Sequence, residues 1–226
     1  NVTKINFYFY SFFAMTMSIN MFITGGRAGQ IMYFSMLAVI IFQFFNTEKV
    51  KALLVIILLL PGLFFVAYKS SELFQKRVDQ AIYSAARYDS WNNTSVGRRI
   101  NFSINSFELI KQNPLIGVGT GDFPEEYKRV NSINTPNLPN TTNPHNMYIL
   151  VTAQLGIAGL ISFLSIFYYQ LKLSRRSSSR LLRDFGIAMP LLFSVILFSD
   201  SYLLGHYTTL VYAIFSSFLY KNFEKN

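Results

Sequence analysis

Three short stretches carry the side chains best suited to chemistry: Thr24-Gly25-Gly26-Arg27, Ser95-Val96-Gly97-Arg98-Arg99 and Asn143-Pro144-His145-Asn146. A guanidinium binds two oxygens of a phosphate at once through its planar fork of donors. A neutral imidazole, with an unperturbed pKa of about 6.5, accepts a proton near physiological pH. Two arginines and a histidine at the ends of apolar segments are suited to holding a lipid-linked phosphate while a hydroxyl is activated. Plainer roles stand beside that one. Arg27 can snorkel to lipid headgroups, Arg98 and Arg99 can be a solvated pair, and His145 can cap a helix or pack. Asn146 is placed to orient a sugar or the imidazole. His206, beside Gly205, offers the same chemistry as His145. Asp200 lies near the end of an apolar run, where an acid marks a functional site by default or pairs with a nearby arginine.

Those residues need elements to hold them, and composition sets the kind. Of 226 residues, 51% are hydrophobic and 14% charged, against about 25% charged in a typical soluble domain. Apolar runs at 5–23, 29–45, 52–68, 147–171, 185–204 and 207–220 read as membrane spans. Pro61-Gly62 predicts a kink in the third. The chain opens on Asn1 and enters an apolar run almost at once, which reads as an excerpt of a longer chain without a signal peptide. The expected organisation is three spans in 1–68, a mostly helical insertion over 69–145, and three spans with a basic loop in 146–226. The fold class is an all-α polytopic membrane protein, a helical bundle with an external helical insertion.

Charge orients the spans. With the insertion outside, Lys4, Lys49, Lys51, Lys172, Arg175, Arg176, Arg180, Arg183, Lys221 and Lys225 fall on the inner side, while the short outer loops carry only Arg27. This follows the positive-inside rule. It also accounts for the net charge of +9 without a nucleic-acid partner. Arg27 is the cation with no topological reason for its place. Glycines before it permit close backbone approach, and the start of the second span would present free N–H groups to an anion.

Within the insertion, Phe74, Val78, Ala81, Ile82 and Ala85 recur at helical spacing. Ile100, Ile104 and Phe107 repeat the pattern in a second helix ending near Gln112. A glycine-rich turn follows at 114–121, a short helix at 124–130, and a loop over 131–144. The chain has no cysteine, which excludes disulfides and thiolate chemistry. No histidine pair has metal-ligand spacing, so no metal site is expected. Asp122, Glu125 and Glu126 are the acids that would hold one. No phosphate-binding loop or serine-hydrolase elbow is present.

The ordered motifs resemble a known family. Thr24-Gly25-Gly26-Arg27-Ala28-Gly29, Ser95-Val96-Gly97-Arg98-Arg99-Ile100, Asn113-Pro114-Leu115-Ile116-Gly117-Val118-Gly119, His145-Asn146-Met147-Tyr148-Ile149-Leu150 and Gly156-Ile157-Ala158-Gly159-Leu160 are similar to those of the O-antigen ligase/polymerase superfamily. The resemblance implies a glycosyltransferase of the bacterial inner membrane, acting on the periplasmic face without metal or cofactor. The implied donor is a glycan on undecaprenyl diphosphate. The acceptor is a lipid A core sugar, another repeat unit or a protein hydroxyl, with the ligase reading preferred. Arg27, Arg99 and His145 fall on the family's catalytic positions, and are expected to converge on one outward-facing cavity. Arg98, Asn146, Tyr148, Gly117 and Gly119 are the implied substrate-binding residues. Where family members often carry Trp four residues after the second arginine, this chain has Ser103.

The resemblance and the residues agree on a reaction. Arg27 and Arg99 would clamp the diphosphate, and His145 would deprotonate the attacking hydroxyl. Direct attack inverts the anomeric centre, whereas retention needs a nearby carboxylate nucleophile, which these motifs lack. The rival from another class is a transporter of an anionic lipid-linked glycan. It predicts polar or broken spans at the membrane midplane.

Overall fold

The computed structural model describes residues 4–24, 26–87 and 94–221; Gly25 and Lys225 lie outside the described residues. Among the described residues all regular structure is helical: α1 (Lys4–Ile23), α2 (Arg27–Phe44), α3 (Lys49–Ser70), α4 (Glu72–Ala86), α5 (Ser95–Gln112), α6 (Phe123–Asn134), α7 (Met147–Arg175), α8 (Arg180–Ile196), a 3-10 turn (Tyr202–Leu204) and α9 (His206–Leu219). Of these, α2, α3 and α7 are long and apolar enough to cross a membrane; α8 and α9 have 17 and 14 residues, short of the roughly 20 that span a bilayer. Many apolar side chains face outward, Phe44 at 75% and Leu58 at 74% exposure among them. Such surface is stable in lipid, where helices also satisfy their own backbone. The chain is an all-α membrane protein.

Contacts divide it into two compact units, Asn1–Tyr83 and Ser84–Asn226. In the first, α1 ends where its last carbonyls find partners. Gln30 Nε2 donates to Met21 O and Thr24 O, and Ser71 Oγ donates to Phe22 O at 2.9 Å. Phe22, Phe64 and Phe74 meet edge to face at 5.3 Å between ring centroids, joining α1, α3 and α4 in the geometry aromatic pairs prefer.

The second unit is built on α5, α6 and α7, whose core is Phe102, Leu109, Phe123, Tyr127, Val130, Leu150 and Ala153. Asn105 is buried with them. It is satisfied by the Tyr127 hydroxyl, Asn131 Oδ1 and Thr135 Oγ1, as a buried amide must be. Burial pushes the Tyr127 phenol above its usual pKa, and the Asn105 hydrogen bond partly offsets this.

Two breaks in this unit were not visible in the apolar runs. α7 is interrupted at Gly156 (φ 65°, ψ −165°), a conformation open to glycine alone. The glycine-rich turn docks into the gap: Val118 N donates to Ala153 O, Gly119 N to Gln154 O and Ile157 N to Pro114 O, each at 2.9 Å. The groups freed by the break are thereby paired with protein backbone. The second break corrects the span expected over 185–204. α8 stops at Ile196, and the carbonyls beyond it are taken from elsewhere. Met147 N donates to Leu197 O at 2.9 Å, Asn146 Nδ2 to Phe198 O at 3.3 Å and Arg99 Nη1 to Ser199 O at 2.9 Å. The carbonyls of Leu197, Phe198 and Ser199 are thus paired without a further helical turn.

Candidate functional site

α5 begins at a true cap: the Thr94 side chain accepts from Gly97 N at 3.0 Å, as an N-cap residue should. The helix has two working faces. Phe102, Asn105, Ser106 and Leu109 are buried. Val96, Arg99, Ile100, Ser103, Ile104 and Phe107 form the other stripe, which lines a cleft of about 350 Å³. The apolar spacing thus located the helix, but Ile104 and Phe107 are 43% and 50% exposed and wall the cleft instead of the core. Ser103 faces the same cleft, and its hydroxyl bonds back to Arg99 O. A small side chain here leaves the space beside Arg99 open.

His145 comes to the cleft from the loop before α7. Asn146 is the α7 N-cap, its Oδ1 accepting from Tyr148 N and Ile149 N. The preceding residue is turned back on itself: His145 has φ 56°, the one positive φ on a non-glycine among the described residues. Such a conformation costs about 1–3 kcal/mol and is kept only where surrounding contacts impose it. The imidazole stacks on Phe102, with ring centroids 6.1 Å apart.

The unwound segment after α8 delivers Asp200 between the two. His145 Nδ1 lies 3.0 Å from Asp200 Oδ1, and Arg99 Nη2 lies 3.4 Å from Asp200 Oδ2. Asp200 Oδ1 also accepts from Ser201 N and Asn143 Nδ2. A carboxylate can only accept, so Nδ1 is the protonated nitrogen in this contact, and in the neutral imidazole Nε2 then carries the lone pair. Arg99 is about half exposed. Ion pairs in such surroundings contribute about 0–1 kcal/mol, too little to make this one a structural brace. It leaves the guanidinium available to an anion entering the cleft. Of the two ways the sequence offered for Asp200, the pairing with an arginine is present, and the same carboxylate also meets His145. Its partners lie 55 and 101 residues away, so no local motif announces them. Asn143, which also reaches Asp200, carried a local signal in Asn143-Pro144-His145, since Asn two residues before a turn residue bonds the backbone ahead of it.

The remaining candidates fall elsewhere. Arg98 is exposed and does not line the cleft. The Tyr148 hydroxyl donates to Ser194 O, and its ring packs on Phe198. Gly117 and Gly119 hold the turn against α7; a Cβ on Gly117 would lie 2.3 Å from the Gln154 backbone. His206 is exposed at the start of α9. Glu125 and Glu126 pair with Lys128 and Arg129 one turn on, while Asp122 precedes α6. Arg27 belongs to the first unit. It opens α2 behind Gly26, which offers no side-chain cap, and it lines an apolar cavity of about 220 Å³ with Gln30, Phe34, Phe74 and Arg77.

Comparison with protein families matches residues 12–164, more than half of the chain, to O-antigen ligase. Comparison with curated proteins returned no match.

Proposed function

Because this chain belongs to the O-antigen ligase family, it is a membrane enzyme of glycan ligase or polymerase type, and we propose that it moves a glycan from undecaprenyl diphosphate to a hydroxyl of a lipid A core sugar. The observation that carries the reading is Asp200, which holds Arg99 on one oxygen and His145 on the other. A phosphate-binding cation and a base with a free nitrogen then face one cleft with apolar walls.

In this reading the donor diphosphate replaces Asp200 as a partner of Arg99, and the resemblance of the Arg27 motif implies a second cation for the leaving group. The acceptor hydroxyl gives its proton to His145 Nε2 while its oxygen forms the new bond to the anomeric carbon. The bond from that carbon to the phosphate oxygen breaks, and the diphosphate leaves with the electron pair. The anomeric centre inverts. Preorganised cations at the departing oxygens are the larger contribution, since stabilising charge where it develops is the commonest major term in catalysis. Asp200 acts through His145: it fixes the ring and stabilises the imidazolium that forms. The site faces the periplasm of the inner membrane, the side opposite the 172–183 basic cluster. No metal has a role in these steps.

A transporter of the same lipid is less well supported. The break in α7 is filled by backbone of the 114–119 segment, so it offers no vacant groups to a coupling ion, as transporter breaks do.

The test is deletion of the gene, read on a lipopolysaccharide gel. A ligase leaves lipid A without long chains while polymer accumulates on undecaprenol. Single repeats on lipid A would instead assign a polymerase. An unchanged pattern would contradict both.

A further inference from the structure

The side chain of Asn143 makes three hydrogen bonds, to His145, to its partner Asp200 and to the adjacent Ser201. Its Oδ1 accepts from the His145 backbone N–H at 2.9 Å and from Ser201 Oγ at 2.7 Å. Its Nδ2 donates to Asp200 Oδ1 at 3.3 Å. We propose that Asn143 is a positioning residue that fixes the aim of the His145 imidazole, and that it acts on the rate only through that ring. This rests on the reading of His145 as general base.

The backbone explains why such a residue is needed. A histidine at φ 56° relaxes to the ordinary region unless its N–H is held. The Asn143 amide oxygen holds it. Pro144 between them is fully buried and its own φ is fixed, so the turn cannot open from that side. The ring end is held by Asp200, and the same carboxylate oxygen is held by the Asn143 amide nitrogen. One side chain therefore ties both ends of the histidine. Asn143 is itself anchored, with its backbone N and O both bonded to Thr141 Oγ1. An amide is required because it alone offers an acceptor and a donor at this length. Aspartate keeps the acceptor, loses the donor, and sets a second carboxylate against Asp200. Alanine keeps neither.

The experiment uses the full chain purified in detergent. It measures single-turnover glycan transfer, and affinity for undecaprenyl diphosphate, in Asn143→Ala, Asn143→Asp, His145→Ala and the Asn143→Ala/His145→Ala double variant. Misplacing a reacting group by about 1 Å can cost 10²-fold, so both Asn143 variants should lose about that much rate at unchanged lipid affinity. The double variant should be no slower than His145→Ala alone, because groups acting through one step are not additive. Asn143→Asp has the shape of the native residue and decides the matter if Asn143→Ala does not accumulate. A wild-type rate in the Asn143 variants beside a slow His145→Ala would overturn the positioning role alone. An extra loss in the double variant equal to that of Asn143→Ala would also overturn it. A wild-type rate in His145→Ala would remove the base reading itself.

Discussion

Asp200 Oδ1 and His145 Nδ1 lie 3.0 Å apart although 55 residues of chain separate them. The contact sets the imidazole tautomer, and the other oxygen of the same carboxylate meets Arg99. Arg99 and His145 are therefore joined through one acid. A donor that draws Arg99 away leaves Asp200 to His145, Asn143 and Ser201.

Asp200→Asn tests that junction. The amide can offer an oxygen to Nδ1 only by turning its NH2 group toward Arg99, a donor against a donor. Turned the other way, it forces the proton onto Nε2, where it blocks the base. Transfer should fall by about 10²–10⁴, the usual worth of general base catalysis, with the protein still folded by thermal unfolding. An unchanged single-turnover rate would show that the carboxylate does not govern the ring.

Arg27→Lys and Arg99→Lys should each impair transfer strongly, by roughly the 10²–10³ that one stabilising donor contributes. Lysine keeps the charge but loses the two-pronged contact. Arg98→Ala should be mild, since Arg98 does not line the cleft. A dead Arg98→Ala beside an active Arg99→Ala would move the assignment by one residue.

Gly117→Ala and Gly156→Ala should lower stability by at least about 2–4 kcal/mol, because both positions have positive φ and a Cβ would strike backbone. On Gly156 the new atom would lie 2.2 Å from the Leu115 carbonyl. Gly62→Ala, whose Cβ meets nothing within 4 Å, should be neutral or slightly stabilising in its helix. Melting of the detergent-solubilised variants checks the ranking, and equal melting temperatures for Gly156→Ala and Gly62→Ala would refute it.

Much of this architecture was legible in the chain. Long apolar runs and 3.6-residue spacing located the helices, since burial and helix geometry write directly into those patterns. The buried face of α5 was hidden because it carries Asn105 and Ser106; only the fold supplies Tyr127, Asn131 and Thr135 to satisfy the amide. The early end of α8 was hidden because Leu197 and Phe198 continue an apolar run, while the groups that claim their carbonyls come from the start of α7. Within the site, His145 stood out by residue type, and the resemblance selected Arg99 over Arg98. Asp200 stood out as an acid near the end of an apolar run, but its particular partners did not, because they lie 55 and 101 residues away.

The resemblance implies chemistry without a metal, and chelation tests it. Transfer by the purified protein should be unaffected by EDTA. Loss of activity restored by Mg²⁺ or Mn²⁺ would contradict the mechanism and implicate Asp122, Glu125 and Glu126.

The most direct measurement is glycan transfer from an undecaprenyl-diphosphate-linked repeat to a purified lipid A core acceptor, compared between the wild-type protein and His145→Ala. The wild type should transfer the glycan with an inverted linkage and release undecaprenyl diphosphate. His145→Ala should be slower by about 10²–10⁴, with the donor still bound through the arginines. Transfer by His145→Ala at the wild-type rate, or a wild-type protein that moves the donor across vesicle membranes without transferring its glycan, would contradict the proposed reaction.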